Sequence, residues 1–161
     1  MNFTVPIDCP DGHQYLFRFE DCENLLMDID IKLGVKMVDI SLTSESELAT
    51  INNINTLNRI STIIFNFLDE NDVVLYYYCS KEPIYQRKNR KKIPPQQYRS
   101  ELFLALFNKV IKKHQEKTFI NKPVILRDIS EGDHYLHFIA ESKYSDEMDK
   151  FANHMSEVFG K

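Results

Sequence analysis

The chain has 161 residues, about one ordinary domain, and is 43% hydrophobic and 27% charged. That balance excludes a disordered or fibrous chain and supplies enough apolar mass for one core. Twenty Lys and Arg against 24 Asp and Glu give a net charge of −4, which excludes a general basic coat for nucleic acid but not a local basic patch.

Met1–Pro6 has neither a basic leader nor a long apolar run, so no signal peptide is expected, and no stretch approaches the length of a membrane span. Cys9, Cys22 and Cys79 are odd in number and lack CxxC spacing, which argues against a disulfide framework and a cysteine-rich zinc site. A cytoplasmic protein without a membrane role is the expectation.

Residues 2–20 read as a β-hairpin. Phe3, Val5 and Ile7 alternate with polar or small neighbours, as do Tyr15, Phe17 and Phe19, around the turn-forming Cys9-Pro10-Asp11-Gly12-His13. A three-residue loop pairs Ile7 with Tyr15, Val5 with Phe17 and Phe3 with Phe19, placing every apolar residue on one face; a one-residue slip would split the two sets. Residues 21–34 are acidic and irregular. Val38, Ile40 and Leu42 then mark a third half-exposed strand, and Ser44-Glu45-Ser46-Glu47 offers a capping box for a long helix. Ile51, Ile54, Leu57, Ile60, Ile64, Phe67 and Leu68 recur along it at helical steps, and Asp69-Glu70-Asn71-Asp72 ends it.

Val73–Cys79 shows no polar alternation and is β-branched and aromatic, the pattern of a strand covered on both faces. Pro94-Pro95 opens a second helix with Tyr98, Leu102, Phe103, Leu106, Phe107, Val110 and Ile111 on its apolar stripe. Residues 118–127 and 134–140 read as strands joined by Ser130–Asp133, and Ser145 is expected to cap a final helix. The order β-β-β-α-β-α-β-β-α implies a single α+β domain over residues 1–161, a mixed, mostly antiparallel sheet with helices packed on it.

The clearest chemical signal is the stretch from Lys81 to Arg99. It holds Lys81, Arg87, Lys88, Arg90, Lys91, Lys92 and Arg99 against the single acid Glu82, a local charge of +6 on a chain whose remainder is −10. Tyr85 and Tyr98 flank the run and are suited to stacking on bases. Read alone, the stretch is a solvated loop, a site for an anionic ligand or nucleic acid, or a contact for an acidic protein. The reading carried forward is a non-catalytic binding or regulatory domain that holds nucleic acid, a nucleotide or an acidic protein there. The rival is an adaptor or immunity-type domain using an acidic surface of Asp21, Glu23, Asp28, Asp30, Asp69, Glu70 and Asp72.

Glycines at 12, 34, 132 and 160 form no phosphate-binding loop, and no cofactor is expected. His134 and His137, three apart on a strand, point to opposite faces and cannot share a metal, so no metal site is expected either. Cys79, at a strand end beside the cationic stretch, is the one weak candidate for a catalytic nucleophile. Arg99 and the free N–H groups of the second helix would favour its thiolate, while burial would disfavour it.

The stretch Val73–Ser80 followed by Tyr98-Arg99-Ser100-Glu101-Leu102-Phe103 resembles a small bacterial family of unknown function, with a strand ending Tyr-x-Cys and then an Arg-x-x-Leu-Phe helix. The resemblance in layout spans most of residues 1–160. It implies the same α+β order and sets Cys79 and Arg99 at matching positions, with no activity attached. Ser80 stands where the family pattern has an acid, and Leu106 stands near its Trp.

Overall fold

Strict alternation sets the first hairpin. In the computed structural model, which describes residues 2–8, 14–21, 36–44, 54–81, 92–111 and 117–159, β1 (Phe3–Asp8) runs antiparallel to β2 (Gln14–Asp21). Its register is Ile7 with Tyr15, Val5 with Phe17 and Phe3 with Phe19, as the alternation requires. Val5, Ile7, Tyr15, Phe17 and Phe19 all enter one core. The turn itself lies outside the described residues, as do Cys9 and Cys22.

The remaining elements are β3 (Lys36–Ser44), α1 (Ile54–Glu70), β4 (Val73–Tyr78), α2 (Pro95–Ile111), β5 (Phe119–Leu126), β6 (His134–Glu141) and α3 (Ser145–Phe159). Among the described residues six strands form one sheet in the order β1-β2-β3-β4-β6-β5, in which β3 and β4 are the parallel pair. A parallel neighbour needs a crossover, and α1 is in that connection. Both edge strands carry a proline, Pro6 in β1 and Pro123 in β5. A residue without an N–H is tolerated there because one side of an edge strand has no ladder to complete.

Helices cover both faces. On one face α1 packs over β2–β4, with Phe67 stacked on Phe19 at a 4.4 Å ring separation. Beside it α2 lies over β4 and β6, where Phe103 stacks on Tyr77 at 4.6 Å. On the other face α3 covers β4, β5 and β6; Phe151 meets Phe138 edge-on at 4.9 Å. The tyrosine run of β4 therefore divides by parity, Tyr76 joining the α3 core and Tyr77 the α1–α2 core.

Three local expectations change. Ser44 pairs with Tyr15 as the last residue of β3, so it is no helix cap, and residues 45–53 lie outside the described set. The fourth strand ends at Tyr78, although the Cys79 N–H still donates to the Tyr135 carbonyl. Ser145 is already helical (φ −56°, ψ −41°) because a 3-10 turn, Ser142–Tyr144, runs straight into α3 and moves the extended residue back to Glu141. Asn71 ends α1 as expected: its backbone N–H and its side-chain amide both donate to the Phe67 carbonyl.

Phe19 is fully buried and stacked. Phe19→Ala is expected to lower stability by about 3–5 kcal/mol in urea denaturation. Ile129→Ala, on the fully exposed turn after β5, is expected to stay within about 0.5 kcal/mol.

Candidate functional site

The carboxyl ends of β3 and β4, the β5–β6 turn and the amino end of α2 gather at one end of the sheet. The turn, Arg127–Asp133, is built around Asp128. Its Oδ1 accepts from the Ser130 N–H (3.0 Å), the Ser130 hydroxyl (2.8 Å) and the Glu131 N–H (3.1 Å). Gly132 closes it at φ +90°, a conformation that side-chain-bearing residues seldom adopt. Lys81 Nζ donates to the carbonyls of Glu131 (3.0 Å) and Gly132 (3.1 Å). The buried Gln96 amide donates to the Asp133 carbonyl at 3.1 Å. Lys81 and Gln96, on either side of residues 82–95, are thus both bonded to one turn.

The same turn holds the first of two histidine relays. Tyr78 Oη lies 2.7 Å from His134 Nδ1, and His134 Nε2 lies 3.0 Å from Asp128 Oδ2. A neutral ring that donates from Nε2 to the carboxylate accepts at Nδ1 from the phenol. The Ser130 hydroxyl, then His134 and the Glu131 N–H, hold the Asp128 carboxyl well below the usual carboxylate range. Tyr78 keeps 38% of its surface exposed, so this relay fixes a ring that faces water.

The second relay lies on the opposite face, under α2. His137 is fully buried; Nε2 is 2.8 Å from Ser100 Oγ and Nδ1 is 2.9 Å from Asn121 Oδ1. With the Nδ1 proton given to Asn121, Nε2 accepts from the serine. Burial pulls the imidazole down to about 4. Cys79 belongs to the same cluster. Burial pushes its thiol up to about 12, outweighing the Arg99 charge and the Ser100 hydrogen bond that both favour the thiolate. Arg99 itself donates from Nη1 to the Ser80 carbonyl at 2.8 Å.

Hydroxyl, imidazole and amide stand in the order of a nucleophile, a base and its orienting group. Burial, however, pulls the imidazole down to about 4, which makes it a weak base for that hydroxyl, and the same burial keeps the neighbouring Cys79 thiol protonated at neutral pH. A groove between α1 and α2 is lined by Ile60, Ser61, Ile64, Phe65, Phe103, Leu106 and Phe107. It reaches neither Cys79 nor Ser100. The cluster is a polar plug in the core, hydrogen-bonded through His137, with the buried Asn121 side-chain N–H group left without a partner.

The site residues named from sequence are therefore placed unevenly. Lys81 and Arg99 make the internal bonds described, Lys92 is exposed, and Tyr98 is half-buried at the start of α2. Tyr85, Arg87, Lys88, Arg90 and Lys91 lie outside the described residues, as do Glu23, Asp28 and Asp30. Asp21, Asp69, Glu70 and Asp72 sit at the far end of the sheet, where Asp21 pairs with Lys36 (3.1 Å) and Asp72 with Lys143 (3.2 Å). Ser100, Asn121, His137, Tyr78, His134 and Asp128 were not picked out as functional groups from sequence; strand parity is the one signal that separates the two histidines. No group of metal-ligating side chains occurs among the described residues. Neither family models, curated proteins nor solved structures give a match to this chain.

Two measurements follow. Cys79 in a Cys9→Ser, Cys22→Ser background is expected to resist alkylation at pH 8 until the protein unfolds; rapid native labelling with a midpoint at or below about 8.5 would contradict a buried neutral thiol. The second concerns acid stability. His137 has a lowered value, so the unfolded chain binds more protons and stability falls as pH drops from 6.5 towards 4. Asp39 on β3 is raised to about 6 by burial and then by Glu20, its cross-strand neighbour, so its effect is opposite: stability falls as pH rises from 3.8 to 6. Asp39→Asn is expected to steepen the loss of stability on acidification across pH 4–6. His137→Gln is expected to abolish or reverse it, both read from urea midpoints against pH.

Proposed function

We propose that the chain is a non-catalytic binding or regulatory domain that holds an anionic partner, nucleic acid, nucleotide or acidic protein, through residues 81–99. One observation supports this reading: Lys81 and Gln96, which flank most of a stretch with charge +6, are bonded to the same turn. Binding by a stretch whose ends are already fixed loses less chain entropy than binding by a free loop.

Charge at the two sheet ends supports the same reading. Asp21 and Asp72 at the far end each have a lysine partner, so the acidic surface is partly neutralised within the molecule. At the near end two of the turn's three acids are engaged too, Asp128 by the turn and His134, and Asp133 by Arg127 at 2.5 Å, while Glu131 is exposed. The neutral state of Cys79 and His137 weighs against a thiol enzyme.

Replacing Arg87, Lys88, Arg90, Lys91 and Lys92 together with Gln is expected to abolish binding to heparin or inorganic polyphosphate near physiological salt. In the unsubstituted chain log affinity should fall linearly with log salt. Equal affinity of the two proteins for polyphosphate, with no salt slope in either, would reject the proposal.

A further inference from the structure

The turn that fastens the basic stretch also fastens an exposed aromatic ring. Through Asp128 and His134 it holds the Tyr78 hydroxyl, and through two carbonyls it holds the Lys81 ammonium, three residues further along the chain. An exposed tyrosine ordinarily samples several rotamers and loses them on binding. Here a relay of two hydrogen bonds fixes the phenol while leaving 38% of the residue open to solvent. Lys81 has three N–H donors, and the two carbonyls take two of them. Fixed ring and fixed cation belong to one rigid unit.

From this juxtaposition we infer that Tyr78 and Lys81 form a single-nucleotide subsite for single-stranded nucleic acid, one base stacking on the Tyr78 ring and its phosphate meeting the Lys81 ammonium. The inference rests on the anion-binding reading above and names its ligand. Stacking on an aromatic face accepts any base, so the subsite selects unpaired strands rather than a sequence. An acidic protein fits less well. The exposed large apolar side chains among the described residues, Tyr78, Ile125 and Ile129, are divided between the two sheet faces and the turn tip, so they build no flat apolar interface core. A flexible strand with spaced bases can follow such a rim. Of the nearby carboxylates, Asp128 and Asp133 are hydrogen-bonded or ion-paired within the turn, which limits their repulsion of a phosphate, and the exposed Glu131 is the acid that opposes it.

The test compares two probes on the full chain, a fluorescent 15-nucleotide oligo(dT) or oligo(U) and inorganic polyphosphate, at matched salt. Tyr78→Ala is expected to weaken oligonucleotide binding about tenfold, the scale of one lost base–aromatic stack, and to change polyphosphate binding less than twofold. Tyr78→Phe keeps the ring and loses the tether, so its loss should be smaller than that of the alanine variant. Its far-ultraviolet spectrum and thermal midpoint report folding if the alanine variant is poorly behaved. Polyphosphate and oligonucleotide bound alike by all three proteins would overturn the nucleotide subsite while leaving anion binding standing. Failure of the unsubstituted chain to bind polyphosphate would overturn the anion-binding reading and this inference with it. A preference for duplex over single strand, undiminished in Tyr78→Ala, would overturn the subsite alone.

Discussion

The structure depends on β4 being covered on both faces. Val73, Leu75, Tyr77 and Cys79 face α1 and α2, while Val74 and Tyr76 face α3, so the strand has no wet side along most of its length. A doubly covered strand must deal with its polar atoms where it leaves the sheet. Tyr77 stays inside against Phe103; Tyr78, at the rim, sends its hydroxyl to His134. Beyond it Cys79 turns back into the core and Lys81 reaches the neighbouring turn. The chain changes from its most apolar run to its most basic one within a few residues, and the candidate site lies at that junction because the covering ends there.

What could be read from the residues follows from the range over which each constraint acts. The β1–β2 register was legible because six alternating positions and one short turn admit a single pairing without splitting the apolar face. The double covering of β4 was legible because seven successive residues lack any polar alternation. Strand order was not, since the β3–β4 pairing crosses α1 and leaves no local mark. Pro6 and Pro123 did mark the two edges, and that signal was available in the sequence. The Ser145 cap failed because a 3-10 turn precedes α3 without an extended residue between them.

The relays were hidden for a different reason. Parity put His134 and His137 on opposite faces, but their partners come from other strands and helices: Tyr78 from β4, Ser100 from α2, Asn121 from β5. No spacing rule links residues that meet only after the sheet has formed. Cys79 and Arg99 are a partial exception. The parity of β4 and the start of α2 bring them near one another, and Arg99 does lower the thiol's proton affinity. Burial is the larger effect and keeps the proton on sulfur.

Two relays built on histidine thus have opposite consequences because of where they lie. Ser100, His137 and Asn121 occupy a site closed by Tyr77 and Phe103, where an unpaired donor or acceptor would cost about 1–3 kcal/mol. There the hydrogen bonds to both ring nitrogens offset much of the imidazole's desolvation and leave it neutral, while the Asn121 Nδ2 group stays unpaired. Tyr78 is exposed and His134 and Asp128 are half-buried at the rim, where water reaches each of them, so their mutual bonds offset less burial than those of the inner relay. What those bonds do instead is hold a ring and a turn in one orientation, and the same turn holds Lys81 and Gln96. The outer relay therefore sets the orientation of the rim at the root of the strongly basic stretch, where the inner one fills the core.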